Sequence, residues 1–509
     1  TEDENLKRLE SGLAKFENTL VNAKSIYVGR VKSSTSSRKA ISVANNKLIG
    51  SVTFDDPSNI ENAITNKSEP IWNHFSVDER SKVLQDIADH IEQEPNQLIF
   101  YLINEAGKTI QNAIDEIREA IDFLRYYSEQ IKEINKNNEL EGPTGEKNNI
   151  SYSNKGRFLC ISPWNFPVAI LIGQISAALA CGNNVLIKPS EHTSILGYLV
   201  VKIFHKYGVP LEALQLIIGD GMYGELLTKI KPLNGVAFTG SLNTAKKIQS
   251  SLIKNQKGII PLIAETGGIN AMMVDSSALL EQVTDDVIRS AFDSAGQRCS
   301  ALRVLCIQEE IYDELTEMIK GSMAIQEIND PNNFSTDIGP IISKNALKKL
   351  NDYISDCREN NLKVFQCESD FSETHVPPTI IEIDNISQIE EEQFGPILHV
   401  IKYKFNEIDK TINQINESGY GLTMGIHSRI ESRADFISSE SNIGNIYINR
   451  DMVGAVVGSQ PFGGIGLSGS GFKAGGPNYL LQFLNEKVVS KNSVAFGGNT
   501  ELLNLQEDV

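Results

Sequence analysis

From Phe158 onward, short apolar runs alternate with segments of helical period, and no other feature restricts the fold as much. Strands that are apolar along their whole length are buried on both faces, which calls for a parallel sheet with helices covering each side. The runs 158–162, 184–188, 214–218 and 235–238 are expected strands, with helices at about 168–180, 193–206, 221–229 and 242–253. A second series starts near Ile259 and adds strands at 271–274, 303–307, 397–402, 423–426 and 445–448. Two doubly wound α/β units therefore share the chain, and 509 residues with 40% hydrophobic side chains suffice for both cores.

The flanks read differently. Leu6, Leu9, Leu13, Phe16 and Leu20 lie at helical spacing, and the Ser/Thr/Arg-rich run from Val31 to Lys39 reads as an arm or linker end. From Ile60 to Glu133 the pattern is mostly helical, with Val83, Ile87, Ile91, Leu98 and Leu102 in one group and Ile110, Ile114, Ile117, Ile121 and Leu124 in another. Beyond the charged, turn-rich stretch Lys136 to Asn149, the segments Ile150–Tyr152 and Gly156–Phe158 are expected as the strands of an exposed hairpin suited to oligomer contacts. The tail from Tyr479 to Ser493 is apolar enough for one more strand, and periodicity leaves open whether it returns to the first unit or pairs with another subunit.

A formal charge of -18 repels phosphate backbones and anionic lipid, so nucleic acid and membrane surfaces are not expected partners, and small metabolites are. The six cysteines contain no CxxC pair, which argues against a disulfide framework, a structural zinc site or any other metal centre. A reducing, cytosolic compartment is expected. There is no apolar run long enough for a membrane span and no signal-peptide layout, and a first residue other than Met fits an excised boundary.

One thiol stands apart. Leu280, Val283, Val287 and Ala291 share a helix face that Gly296 is expected to end as a C-cap, and Arg303–Ile307 reads as a buried strand, so Cys299 falls in the break between them. A cysteine placed there can face a cleft, although local pattern alone does not separate a reactive thiol from a packed one. Other blocks sit at comparable breaks. Ser162-Pro-Trp-Asn-Phe-Pro167 follows a strand and offers the Asn165 amide either to an oxyanion or as a helix cap. Ile187-Lys-Pro-Ser-Glu191 offers a lysine and a carboxylate either to the hydroxyls of a ribose, the acid disfavouring a 2′-phosphate, or as a surface turn with a Ser-based helix cap. Val236-Ala-Phe-Thr-Gly-Ser241 runs from strand to helix and suits a diphosphate. In Ala264-Glu-Thr-Gly-Gly268 a carboxylate stands at a strand end, where it can deprotonate water, and Glu392-Gln-Phe-Gly-Pro396 joins an acid and an aromatic ring in a tight loop. The spacing Gly464, Gly466, Gly469 satisfies GxGxxG, but no helical pattern follows it, so it is rejected as a dinucleotide fingerprint.

Taken together and in this order, WNFP, KPSE, FTGS, ETGG, GQRCS and EEQFGP resemble the aldehyde dehydrogenase superfamily over roughly residues 60–490. Gln460-Pro-Phe-Gly-Gly464 and Lys473-Ala-Gly-Gly-Pro-Asn-Tyr-Leu-Leu-Gln-Phe483 resemble its L-glutamate γ-semialdehyde dehydrogenases, particularly the dehydrogenase half of the bifunctional proline utilisation family. The resemblance implies an NAD-binding domain (46–135 and 157–263), a β-flap for oligomerisation (136–156 and 479–500) and a catalytic domain (264–478), beside the helical arm read from its spacing (1–45) and a tail (501–509). It implies Cys299 as nucleophile, Asn165 with the Cys299 backbone N–H as oxyanion hole, and Glu265 as the base for water. For NAD it implies Lys188 and Glu191 at the adenosine ribose, Gly240 and Ser241 at the diphosphate, and Glu392 at the nicotinamide ribose with the ring of Phe394 beside it. For an amino-acid aldehyde it implies Phe166 and Phe462 around the aliphatic chain and Ser300, Gly454 and Ala455 at the α-carboxylate. Arg298 is grouped with these substrate residues; its charge either lowers the thiol's pKa or its side chain points elsewhere.

The implied reaction is NAD-dependent oxidation of L-glutamate γ-semialdehyde to glutamate, by a homodimer or larger assembly, with a proline dehydrogenase module as a linked or associated partner. A dehydrogenase for another small aldehyde, such as succinate semialdehyde, would share every catalytic block. A non-redox cysteine hydrolase would need a histidine near Cys299, and none of the seven histidines lies in the six blocks.

Overall fold

The computed structural model describes residues 2–29, 35–64, 71–136, 139–371 and 373–492. Five parallel strands form one sheet, in the order Leu262–Glu265, Gly235–Thr239, Arg157–Ile161, Asn184–Lys188 and Leu214–Leu216. Alternate side chains leave a strand on opposite faces. Phe158, Cys160, Val185 and Ile187 accordingly pack on the helices Ala169–Ala180 and Ser194–Lys206. Leu159, Leu186, Val236 and Phe238 pack on the other side with Tyr223, Leu227, Ala245 and Leu252, from the helices Gly221–Thr228 and Leu242–Asn255.

The second sheet has seven strands, in the order Val364–Gln366, Thr379–Glu382, Ile397–Tyr403, Val304–Gln308, Ala271–Val274, Thr423–His427 and Asn445–Ile448. All are parallel except the edge strand Val364–Gln366. The α/β reading of the sequence therefore holds, with most strand limits within a residue or two of expectation. Among the described residues no helix is long and apolar enough to cross a membrane.

The long helix Ile110–Ile134 lies against Ala169–Ala180, where a Cβ on Gly173 would come 3.3 Å from Phe123 Cδ2. No side chain of the N-cap residue serves the second helix. Glu116 supplies the missing acceptor from the first, its Oε1 taking the N–H of Val168 (2.8 Å) and Ala169 (3.2 Å).

Four expectations are corrected. Part of the presumed linker is a strand, Thr35–Ile41, antiparallel to Leu48–Asp55; from Ser36 to Ile41 both its faces lie largely in solvent, so its polar composition records exposure rather than irregular backbone. The preceding residues, Val31 to Ser34, lie outside the described residues. Glu146–Asn154 does not form a hairpin with the following segment. It pairs instead with Leu484–Asn492, while Arg157–Ile161 enters the parallel sheet, because the glycine between them turns the chain inward. This pairing also settles the destination of the tail within the chain as far as Asn492; residues 493–509 lie outside the described set. The strand Leu262–Glu265 belongs to the first sheet, beside Gly235–Thr239, and not to the second series. Finally, the helix Leu280–Phe292 stops before Gly296, at a turn described below.

Candidate active site

A cavity of about 690 Å³ opens between the two sheets. Its lining comes from loops that leave the carboxyl ends of first-sheet strands, at Pro163–Phe166, Thr239–Asn243 and Glu265–Gly267. It also comes from loops that enter the amino ends of second-sheet strands, at Arg298–Ser300, Glu391–Phe394 and Tyr420. Every residue singled out from the sequence lines this cavity except Lys188 and Glu191.

Cys299 is carried there by a strained turn. Ser294, Ala295 and Gly296 all have left-handed φ, at 53°, 53° and 64°. Such a conformation costs an L-residue with a Cβ about 1–2 kcal/mol, so it persists only where neighbours enforce it. At Gly296 even that conformation requires glycine, since a Cβ would stand 2.2 Å from the carbonyl oxygen of Gly395. Asn112, from the long helix of the other unit, clamps the turn: its Nδ2 donates to Asp293 Oδ1 (2.7 Å), and its Oδ1 accepts from Ser294 Oγ. Arg303, fully buried, donates to the carbonyls of Gly296 (2.8 Å), Gly395 (3.0 Å) and Arg298 (3.1 Å) and to Glu392 Oε1 (3.2 Å). The thiol loop and the Glu392 loop are thereby one unit. Asn270 completes the support by donating to the carbonyls of Cys299 (2.7 Å) and Ala301 (2.9 Å).

Replacing Asn112 with alanine removes two side-chain hydrogen bonds beneath the turn, one to Asp293 and one from Ser294. A loss of about 1–3 kcal/mol in denaturant unfolding is expected. Wild-type stability would contradict the clamp.

Burial dominates the electrostatics of the cavity, and acids add to it. Burial first, then Glu392, Glu265 and Glu119, push the Cys299 thiol up to about 12. Arg298 does not offset this: its guanidinium pairs with Asp293 (2.7 Å) and lies 5.4 Å over the Phe166 ring. Burial likewise raises Glu265 to about 8, against the opposing Gly464 N–H and Lys473 charge. Asn165, 8% exposed, caps no helix; its Nδ2 donates to the Gln297 carbonyl (3.2 Å), beside the thiol loop.

The remaining residues divide by sheet end. Ser241 caps the helix Leu242–Asn255 and, with Gly240, brings that N-terminus to the cavity. Glu392 reaches the Glu265 strand end over Gly267, where a Cβ would overlap its Oε2 at 1.7 Å. Phe394 meets Trp164 edge to face at 5.6 Å. Lys188 ends its strand buried, its Nζ donating to the Pro189 carbonyl (3.1 Å), and Glu191 follows in the next turn, where its carbonyl accepts from Arg38. Both therefore stand at the carboxyl edge of the first sheet, beyond the cavity wall. Phe166, Phe462, Ser300, Gly454 and Ala455 line the same cavity as Gly240 and Ser241.

Sequence reasoning missed Lys108, Asn112, Glu119, Tyr127 and Arg303. Lys108, buried, pairs with Glu116 (2.9 Å) and sits 3.8 Å over Phe166, so that two cations, Lys108 and Arg298, lie over that ring. Burial, with Glu116 next, raises Glu119 to about 7. A usable signal existed: Asn112, Glu116, Glu119, Phe123 and Tyr127 recur at steps of three or four and mark a second, partly polar face of an otherwise apolar helix. Among the described residues, no histidine lines the cavity.

The profile of the aldehyde dehydrogenase family matches residues 31–489. The bifunctional protein PutA of Klebsiella aerogenes is 45% identical over 463 residues, which are 88% of this chain and 34% of that protein. The chain thus spans about a third of the length of the first curated relatives it matches. A 1-pyrroline-5-carboxylate dehydrogenase of Oceanobacillus iheyensis is 32% identical over 508 residues, 96% of this chain and 97% of that one. Among solved structures, a point mutant of Thermus thermophilus 1-pyrroline-5-carboxylate dehydrogenase superposes with a TM-score of 0.90 at 28% identity, covering 96% of each chain.

Proposed function

The chain belongs to the aldehyde dehydrogenase family, and from that premise we propose that it oxidises L-glutamate γ-semialdehyde to L-glutamate with NAD⁺. The observation that carries this reading is the convergence of Cys299, Glu265 and Asn165 with the loop Gly454–Ala455 and Phe166 on one cavity.

The residues present suit the dinucleotide. The N-terminus of Leu242–Asn255 offers N–H groups to a diphosphate, Lys188 and Glu191, at the carboxyl edge of the first sheet, are assigned to one ribose, and Glu392 is assigned to the second. When bound, NAD⁺ supplies the hydride acceptor. The protein supplies the rest. The Cys299 thiol loses its proton to solvent as its sulfur adds to the aldehyde carbon, and the resulting oxyanion is met by the Asn165 amide and a backbone N–H. Loss of hydride from that carbon leaves a thioester on Cys299. Water, giving its proton to Glu265, adds to the thioester carbon, and departure of sulfur regenerates the thiol and releases the carboxylate product.

Selection of an amino-acid aldehyde follows from the polar groups around Ser300 and the Gly454–Ala455 loop. Backbone N–H groups of the Gly454–Ala455 loop and the Ser300 hydroxyl suit an α-carboxylate, and Ala455 withholds one further hydroxyl. Glu119 stands on the same cavity as a counter-charge for an α-ammonium. The test compares kcat/KM for L-glutamate γ-semialdehyde with that for succinate semialdehyde and an unsubstituted aliphatic aldehyde. A preference of about 100-fold or more is expected, since polar groups built for the α-substituents stay unpaired with the analogues. Equal turnover would sink the substrate assignment.

A proline-oxidising module is the natural source of the aldehyde, linked or associated. The exposed edge strand Leu484–Asn492, with Val488 53% exposed, suits contact with a second copy.

A further inference from the structure

The spacing Gly464, Gly466, Gly469 is no dinucleotide fingerprint, and it packs on the strand that ends in Glu265. Thr266 N donates to the Ser468 carbonyl (3.0 Å), Thr266 Oγ1 to that of Leu467 (2.6 Å), and Ser470 N to that of Ala264 (2.8 Å). Glycine permits this fit, because a Cβ at position 464 would stand 2.5 Å from Ser468 Cβ and one at 469 would stand 2.9 Å from the Ala264 oxygen.

Within this cradle the Glu265 carboxylate accepts the Gly464 N–H, and its Oε2 has no hydrogen-bond partner. Gly463 lies beside it. A Cβ there would be 2.9 Å from Glu265 Oε1 and 3.2 Å from Lys473 Cγ, so the acid and the lysine stem face each other across a position without a side chain. Lys473 is itself fixed: its neighbour Ala474 exchanges both backbone bonds with Phe462 (2.8 and 2.9 Å), and its Nζ donates to the Gly444 carbonyl. The other titratable groups around Glu265 are Cys299, Tyr127 and Tyr479, with Glu392 and Glu119 further along the cavity, and none brings positive charge. Arg298 is engaged by Asp293.

We propose that Lys473 is a positioning residue for Glu265: its ammonium, anchored on the Gly444 carbonyl, is the fixed positive charge that favours the ionised form of the neighbouring carboxylate against its burial and so readies it for the water step. An opposite charge at short range favours the ionised acid, whereas burial opposes it. The inference rests on the reading of Glu265 as the base.

The test uses the 509-residue chain with Lys473→Met, which keeps the stem, Lys473→Arg, which keeps the charge, and Glu265→Gln. NADH formation is followed as a pre-steady-state burst and as a steady-state pH profile. Because Glu265 must be ionised to act, kcat rises as pH climbs through the pKa of this acid, and removing the lysine moves that limb to higher pH. For Lys473→Met, kcat at pH 7.5 is expected to fall about 3- to 10-fold. The burst amplitude and the aldehyde KM should be retained, and Lys473→Arg should restore the limb. An unmoved limb in Lys473→Met overturns the proposal. Should that variant lack the wild-type thermal transition, Lys473→Gln against Lys473→Arg makes the same comparison. A limb that survives in Glu265→Gln sinks the base assignment itself, whereas a limb lost there but unmoved in Lys473→Met overturns only the role of the lysine.

Discussion

Cys299→Ala is expected to lower NADH formation by at least about 10⁴-fold, because removing the nucleophile removes the covalent route and leaves only binding. No other thiol can substitute. Cys160 and Cys306 are buried in strands, Cys181 is buried at a helix end, and Cys357 and Cys367 belong to the far edge of the second sheet. Ser300 is adjacent, but it lacks any nearby histidine base among the described residues. The scaffold should survive the change. Asn270 holds the carbonyl of Cys299 and not its sulfur, and the turn beneath is held by Asn112 and Arg303. NAD⁺ affinity, measured by quenching of protein fluorescence, is therefore expected to stay near wild type. Residual turnover within tenfold of wild type would remove Cys299 from the mechanism.

Glu265→Gln should separate the two halves of the reaction. The amide is nearly the size of the acid and can still accept the Gly464 N–H through its oxygen, yet it cannot take a proton from water. Thioester formation should continue, giving a burst of NADH close to one equivalent per site, while the steady-state rate falls about 10²- to 10⁴-fold. Mass spectrometry of the quenched protein should find the acyl group on Cys299. In the wild type, with Glu265 at about 8, the acid is mostly protonated at pH 7, and its basic form grows as pH rises through that value. The hydrolytic step is accordingly expected to gain rate over that interval, and a flat profile in the wild type, or unchanged steady-state turnover in the variant, would count against Glu265 as base.

The parts of the site that were legible are the ones written as contiguous blocks. WNFP, FTGS, ETGG, GQRCS and EEQFGP each sit between a strand and a loop, where backbone geometry restricts the residues allowed, so each block leaves a short-range trace. Asn112 and Glu119 leave a weaker one, since a polar residue on a helix faces solvent by default and is a site residue only when another unit covers it. Arg303 reads as the first residue of a buried strand, and its four-way tie between the thiol loop and the Glu392 loop involves residues far apart in sequence. Lys473 was visible only as a member of a motif.

By itself the sequence determined the α/β architecture and nearly all of the central strands, because apolar periodicity and glycine breaks are local properties of the chain, whereas the thiol, acid and amide stood out only through the resemblance that their blocks carry together. Tertiary structure alone decided that Leu262–Glu265 closes the first sheet and that Arg298 spends its charge on Asp293. It alone placed the cavity between the carboxyl ends of one sheet and the amino ends of the other. Those outcomes depend on which strand edges pair and which charges lie within a few ångströms, and neither quantity is a function of sequence distance.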